Sequence, residues 1–311
     1  MRQDNIQMLQ DTLDILEKGS YQIGGKTVSL KLSRKEMEKV EVFLPEDVKR
    51  VCAAKDFDHV HRTDRCEYGC ENMDSFTLAR IRKEELPEFL YVLPVVLVLN
   101  LANPVHPGGG VRNGATAQEE DLCRKSSLLL SLESRTAAAY YRYNKALNTY
   151  MGSDAVMIHP QVEIIKDEKG NLLEETVIVA VMTCAAPMLR YGMEGMSDAQ
   201  YRTMMYDRIT GMLKVAAACG YRYLVLGAFG CGAFRNRADV VSDLFAKALK
   251  EFDYDGMNVN DMFRRIDFAV MDHTEDQFNF REFARNFADD RPNKELDAIK
   301  RRLAGQQSPV H

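Results

Sequence analysis

Two groups of residues in this chain could do chemistry together. Gly108-Gly109-Gly110 comes first, and after a short spacer comes Gln118-Glu119-Glu120. Glycines allow backbone N–H groups to approach a phosphate, because no Cβ blocks a positive φ or a close contact. Carboxylates that near a phosphate loop suit acid–base work on the sugar attached to it. The pairing points to an enzyme acting on a nucleotide sugar. Thr116 and Glu119 also match a capping box at the start of a helix. Adjacent helical residues point about 100° apart, so one glutamate is expected at the scissile bond and the other on a hydroxyl or the helix end. The helix dipole favours an ionised first-turn carboxylate, whereas a second carboxylate and a bound diphosphate favour a proton-holding one.

A second glycine loop, Gly227-Ala228-Phe229-Gly230-Cys231-Gly232-Ala233-Phe234, gains meaning as a phosphate-facing loop opposite the first. Phe234 is placed to pack on a ribose or base. Asn100 reads as a turn residue at a strand end, and the amide of Asn103 is able both to donate to and to accept from ribose hydroxyls. Gly24-Gly25-Lys26-Thr27 fails as a P-loop, since Ser20 stands where a glycine is required. His59, His61, Cys66 and Cys70 fit no common structural-zinc spacing. Cys231 has no neighbouring histidine to activate it, and His106 reads as a loop residue.

The positioning elements follow from patterning. Val95–Leu99 is a continuous apolar run, as in a strand covered on both faces, and 177–181, 223–226 and 266–270 share this character. Helical stretches are expected near 5–18, 74–85, 117–133, 200–218 and 238–251, with a hairpin around Gly24-Gly25. Alternating strands and helices predict an α/β fold with a largely parallel sheet, whose ligands bind at the carboxyl ends of strands. Both glycine loops lie there. The expected organisation is an N-terminal α+β extension over 1–90, a catalytic core over 91–285 and a charged C-terminal helix or tail over 286–311. The chain has 311 residues, 46% apolar content and a net charge of −5, so an anionic substrate must be caught by a local site. Seven cysteines, an odd number, argue for a reducing compartment. No apolar run spans a bilayer and Met1-Arg2-Gln3-Asp4 does not open a signal peptide, so a soluble cytoplasmic protein is expected.

Asn100-Leu101-Ala102-Asn103-Pro104, Gly108-Gly109-Gly110, Gln118-Glu119-Glu120 with Asp121-Leu122-Cys123-Arg124, and Leu226 through Phe234 together resemble the macrodomain-type poly(ADP-ribose) glycohydrolases of the microbial class. The likeness runs from the first helix to about residue 285. It implies a macrodomain-like mixed, largely parallel sheet sandwiched between helices, binding ADP-ribose in a cleft. It also implies cleavage of poly(ADP-ribose) or ADP-ribosylated macromolecules with release of ADP-ribose, as in ADP-ribosylation reversal and the DNA damage response. No cofactor and no metal are implied. Position by position, Gly108, Gly109 and Gly110 would line the diphosphate, and Gly230, Cys231, Gly232 and Ala233 would close over it. Asn103 would hold the distal ribose, Phe234 would pack beside it, and Gln118 belongs to the binding set. Glu119 would hydrogen-bond the ribose of the adjoining polymer unit, and Glu120 would be the catalytic acid and base. Phe229 stands where the family commonly has Trp, and Met188 where it often has Asn. The competing readings are a hydrolase of mono-ADP-ribosylated substrates, a non-catalytic ADP-ribose reader, and an unrelated nucleotide-sugar hydrolase on the same fold.

Overall fold

A computed structural model describes residues 2–54, 65–87, 90 and 93–289. The chain opens with α1 (Arg2–Lys18) and the hairpin β1 (Ser20–Ile23) and β2 (Lys26–Ser29), followed by α2 (Arg34–Met37), β3 (Glu41–Phe43) and α3 (Pro45–Ala53). Next come β4 (Glu67–Glu71), α4 (Ser75–Glu84) and β5 (Val96–Leu101). Helices α5 (Gln118–Lys125), α6 (Leu128–Leu132) and α7 (Ala138–Leu147) lead to the long antiparallel pair β6 (Val156–Lys166) and β7 (Leu172–Cys184). The chain closes with α8 (Asp198–Ala218), β8 (Tyr223–Gly227), α9 (Ala238–Lys250), α10 (Val259–Met262), β9 (Arg265–Ala269) and α11 (Phe278–Phe287).

Seven strands form one sheet in the order β3-β6-β7-β5-β8-β9-β4. Strands β7, β5, β8, β9 and β4 pair in parallel, while β6 runs against both its neighbours. Alternation within β5 explains its unbroken apolar sequence. Leu97 and Leu99 join the core under α8, α9 and α11, whereas Val96 and Val98 join the core with α4–α7. A strand buried on both faces needs apolar residues at every position.

The four expected strands and the hairpin are present, and Gly24 and Gly25 both take the positive φ that its two-residue turn requires. The layer over 1–90 is woven into the sheet: β3 forms one edge and β4 the other. The single helix expected over 117–133 is two helices. Ser126 is extended and bridges Ile164, its hydroxyl donates to Leu122 O, and Ser127 N donates to Glu163 O. Serine offering its hydroxyl to the preceding turn is the local competitor that breaks the helix. Strand β6 escaped the sequence pattern because a register irregularity at 159–162, around Pro160, interrupts its alternation. The tail at 290–311 lies outside the described residues.

Candidate active site

Helix α5 starts at Gln118 with Ala117 as its N-cap, and no side chain caps it. The capping box expected from Thr116 and Glu119 is therefore absent. The tertiary structure draws the Glu119 carboxyl to β5: Asn103 N donates to Oε2 at 2.8 Å, Asn100 Nδ2 donates to Oε1 at 3.3 Å, and Gly108 N–H also donates to it. Glu119 is 2% exposed. Burial pushes its carboxyl up to about 8, against the opposing pull of the Asn103 and Asn100 donors and with a further rise from neighbouring Glu120. At neutral pH, Glu119 is therefore mostly a neutral acid.

Glu120 is 8% exposed. Its Oε1 accepts from Gly110 N at 2.9 Å, while its Oε2 is buried without any hydrogen-bond partner among the described residues. Both carboxyls converge on the first glycine loop. A Cβ on Gly109 would lie 2.5 Å from Glu120 Oε1 and 3.2 Å from Glu119 Oε2, and its φ is +56°. Glycine is required there for both reasons.

The loop amides correct a second expectation. Gly108 N serves Glu119, Gly109 N donates to His106 O, and Gly110 N serves Glu120. The protein's own acceptors thus occupy the donors expected to meet a diphosphate. Helix α1 buttresses the loop from outside: Arg2 Nε donates to Asn113 O and Asn5 Nδ2 to Gly114 O.

The second loop is the opposite case. The amides of Gly232, Ala233 and Phe234 have no acceptor among the described residues, nor do the first-turn amides of Gln118, Glu119 and Glu120. A cavity of about 420 Å³ opens between them, walled by Leu101, Gln118, Ala186, Gly230, Phe234 and Met271 among others. Glu119 and Glu120 are not among its walls; Glu119 bonds at the end of β5, on the side toward β7. Free amides at a helix N-terminus and in a facing loop make an anion cradle. Gly230, at φ +76°, is packed against Asn236 and Ala186 so closely that a Cβ would meet both at about 2.5 Å. Cys231 is buried beside the Phe229 carbonyl, and burial holds its thiol well above the usual range, which removes it as a nucleophile.

Two predicted binding residues have narrower roles than the sequence suggested. Asn103 Oδ1 accepts from Val105 N and His106 N, an Asx-type turn, which leaves only its NH₂ for a ligand. Gln118 lines the cavity, yet its Nε2 donates to Leu99 O and Ser75 Oγ and its Oε1 accepts from Leu101 N. Its amide ties α5 to β5.

The sequence reading missed a buried polar row behind Glu119. Asn100 is a strand residue, not a turn residue, and it pairs with Thr183 of β7. Asn100 Nδ2 donates to Thr183 Oγ1 at 3.1 Å. Thr183 Oγ1 lies 2.9 Å from His159 Nε2, and His159 Nδ1 lies 2.7 Å from Ser131 Oγ, which donates to Leu128 O. One donor direction satisfies the ring and the two hydroxyls: Thr183 donates to Nε2, and Nδ1–H donates to Ser131, while Asn100 Oδ1 is buried with no partner among the described residues. Burial pushes His159 down to about 3, so the ring is neutral and the tautomer is set by these neighbours. The available signal was one polar residue in the α5-facing parity of each apolar strand, which means nothing until the register is known.

Among the described residues no group of three or more His, Cys, Asp or Glu is arranged to hold a metal ion. His59 and His61 lie outside the described residues, and Cys66 and Cys70 are buried. Among those residues no helix is long and apolar enough to cross a membrane.

Comparison with known proteins places this geometry. The family model of the microbial-type PARG catalytic domain matches residues 9–167. A crystal structure of poly(ADP-ribose) glycohydrolase from Thermomonospora curvata is 28% identical, covering 92% of this chain and 100% of that one, with a TM-score of 0.82. The same enzyme bound to the inhibitor ADP-HPD gives a TM-score of 0.80 at the same identity and coverage. The Deinococcus radiodurans glycohydrolase in complex with ADP-ribose is 31% identical over 83% of this chain and 98% of that one, with a TM-score of 0.69. A search of the curated proteins gives no match.

Proposed function

The chain belongs to the microbial-type PARG family, and on that premise we propose that it hydrolyses the ribose–ribose O-glycosidic bonds of poly(ADP-ribose) to release ADP-ribose, with Glu120 as acid and then base. The cavity takes the ADP-ribose unit. Its diphosphate rests on the amides of Gly232, Ala233 and Phe234 and on the first turn of α5, a local anion site that suits a chain of net charge −5. Phe234 packs beside the distal ribose, and the Asn103 NH₂ donates to one of its hydroxyls. Glu119, held neutral by burial, hydrogen-bonds the ribose on the other side of the bond.

Glu120 Oε2 gives a proton to the leaving ribose oxygen as the C1–O bond breaks through an oxocarbenium-like state. The nearby diphosphate stabilises the positive charge that develops. The Glu120 carboxylate then takes a proton from the water that attacks C1, and ADP-ribose is released.

The observation that carries this reading is the unpartnered, buried Oε2 of Glu120. Leaving a buried polar oxygen unpaired costs about 1–3 kcal/mol, and as the protonated acid Oε2–H would be satisfied by donating to the leaving ribose oxygen. A module that only binds ADP-ribose has no use for that strain. Glu120→Gln should retain ADP-ribose binding within a few-fold and lose roughly 10²–10⁴-fold in polymer turnover. ADP-ribose release from purified poly(ADP-ribose) and calorimetry check the two halves. Near wild-type release by the variant would overturn the assignment. Assaying polymer beside singly ADP-ribosylated protein separates this reading from mono-ADP-ribosyl hydrolysis.

A further inference from the structure

Two tyrosines project from the rim of the cleft. Tyr150 is 50% exposed and Tyr191 is 63% exposed, the most exposed large apolar side chain among the described residues. Their ring centroids are 4.8 Å apart with planes tilted by 41°. Together the two rings leave an apolar face in water, and covering it with another flat ring is favourable.

The pair is built, not incidental. Met188 N donates to Tyr150 O at 2.8 Å, and Leu189 N donates to Phe234 O at 2.9 Å. The Glu194 carboxylate accepts from Thr149 Oγ1 and Tyr150 N at 2.5 and 2.9 Å, tying the two rim segments together. Two backbone bonds and a carboxylate clamp thus fix both tyrosines to each other and to the loop that carries Phe234.

Their place along the cleft follows from strand order. The cavity walls run from Asp74 and Met271, beyond β4 and β9, past Leu101 at the end of β5 to Ala186 just after β7. Glu119 bonds to Asn100 on β5, which itself bonds to Thr183 on the neighbouring β7. Residues 188–191 follow the end of β7. A substrate running from the cavity past the two carboxyls therefore continues toward the tyrosines. Arg190 and Arg235 flank them, both exposed and with no side-chain partner among the described residues.

We infer that Tyr150 and Tyr191 form a stacking platform for the adenine of the polymer unit on the leaving side of the scissile bond, with Arg190 and Arg235 serving that unit's diphosphate. The inference rests on the glycohydrolase reading. The leaving ribose carries a purine, whose π-face stacks on tyrosine, and a diphosphate, which suits guanidinium groups. The platform makes the chain grip a polymer better than a single ADP-ribose without touching the bond itself.

The test uses calorimetry with a Glu120→Gln chain, so that a short poly(ADP-ribose) oligomer survives. The oligomer should bind more tightly than ADP-ribose, and Tyr150→Ala with Tyr191→Ala should weaken the oligomer about tenfold while ADP-ribose affinity stays unchanged. Tyr150→Phe with Tyr191→Phe should keep the tighter oligomer binding. Oligomer affinity unmoved by the double alanine variant would overturn the platform, as would an equal loss for oligomer and ADP-ribose. Failure of the unsubstituted chain to release ADP-ribose from polymer is the separate result that would sink the glycohydrolase reading.

Discussion

The two glycine loops look alike in sequence and do opposite work. At Gly108–Gly110 every amide is engaged by the protein, two of them by the carboxyls of Glu119 and Glu120. At Gly232–Phe234 the amides have no acceptor among the described residues. The first loop seats the two acids, and the second keeps donors open for the diphosphate that we propose it holds. A run of glycines therefore reports that backbone comes close to something; the neighbouring elements decide what.

This contrast can be broken from either side. The largest effect after loss of Glu120 itself is expected at Gly109→Ala. The new Cβ must displace the Glu120 carboxyl, and a misplacement of about 1 Å costs on the order of 10²-fold in turnover. ADP-ribose affinity by calorimetry should move far less; a variant that loses affinity and keeps turnover would reverse the roles of the loops. Gly230→Ala should show the converse, a roughly tenfold or greater loss of ADP-ribose affinity as the second loop shifts away from Ala186 and Asn236.

A smaller effect is expected behind the first loop. Thr183→Val leaves His159 Nε2 and Asn100 Nδ2 each short of a partner, at a stability cost of about 1–3 kcal/mol. It should lower kcat with KM little changed, because Asn100 then holds Glu119 less firmly. Thr183→Ser should restore both; a KM effect alone, or no rescue by serine, would show that the row does not position Glu119.

The same acid gives stability a pH dependence. The Glu119 carboxyl is raised from 4.5 to about 8 on folding. Between those values the folded protein holds a proton that the unfolded chain has released, so unfolding free energy falls as pH rises through that window. Melting curves should show Glu119→Gln gaining on the wild type as pH goes from about 5 to about 8.5. A constant difference across the range would mean that Glu119 is not held neutral.

Much of this was legible beforehand for a physical reason. The apolar runs at 95–99, 177–181, 223–226 and 266–270 can only be strands covered on both sides, and they are. Gly109 and the acids near it announce close backbone approach and proton chemistry by residue type alone. Local patterns misled where a longer-range partner existed. Thr116 and Glu119 have capping-box spacing, but Asn100 on β5 and Asn103 just beyond it hold Glu119 instead. The amide of Asn103 looked fully available, yet half of it closes its own turn.

By itself, the sequence determined the α/β class, the central strands, the two glycine loops and the identity of the acids, because each rests on residue type and short spacing. Only the tertiary structure decided that Glu119 is held neutral, which loop keeps free amides, and that Asn100, Thr183 and His159 form one row. Those properties depend on burial and on register between strands far apart in the chain, and neither is written in the residues that carry them.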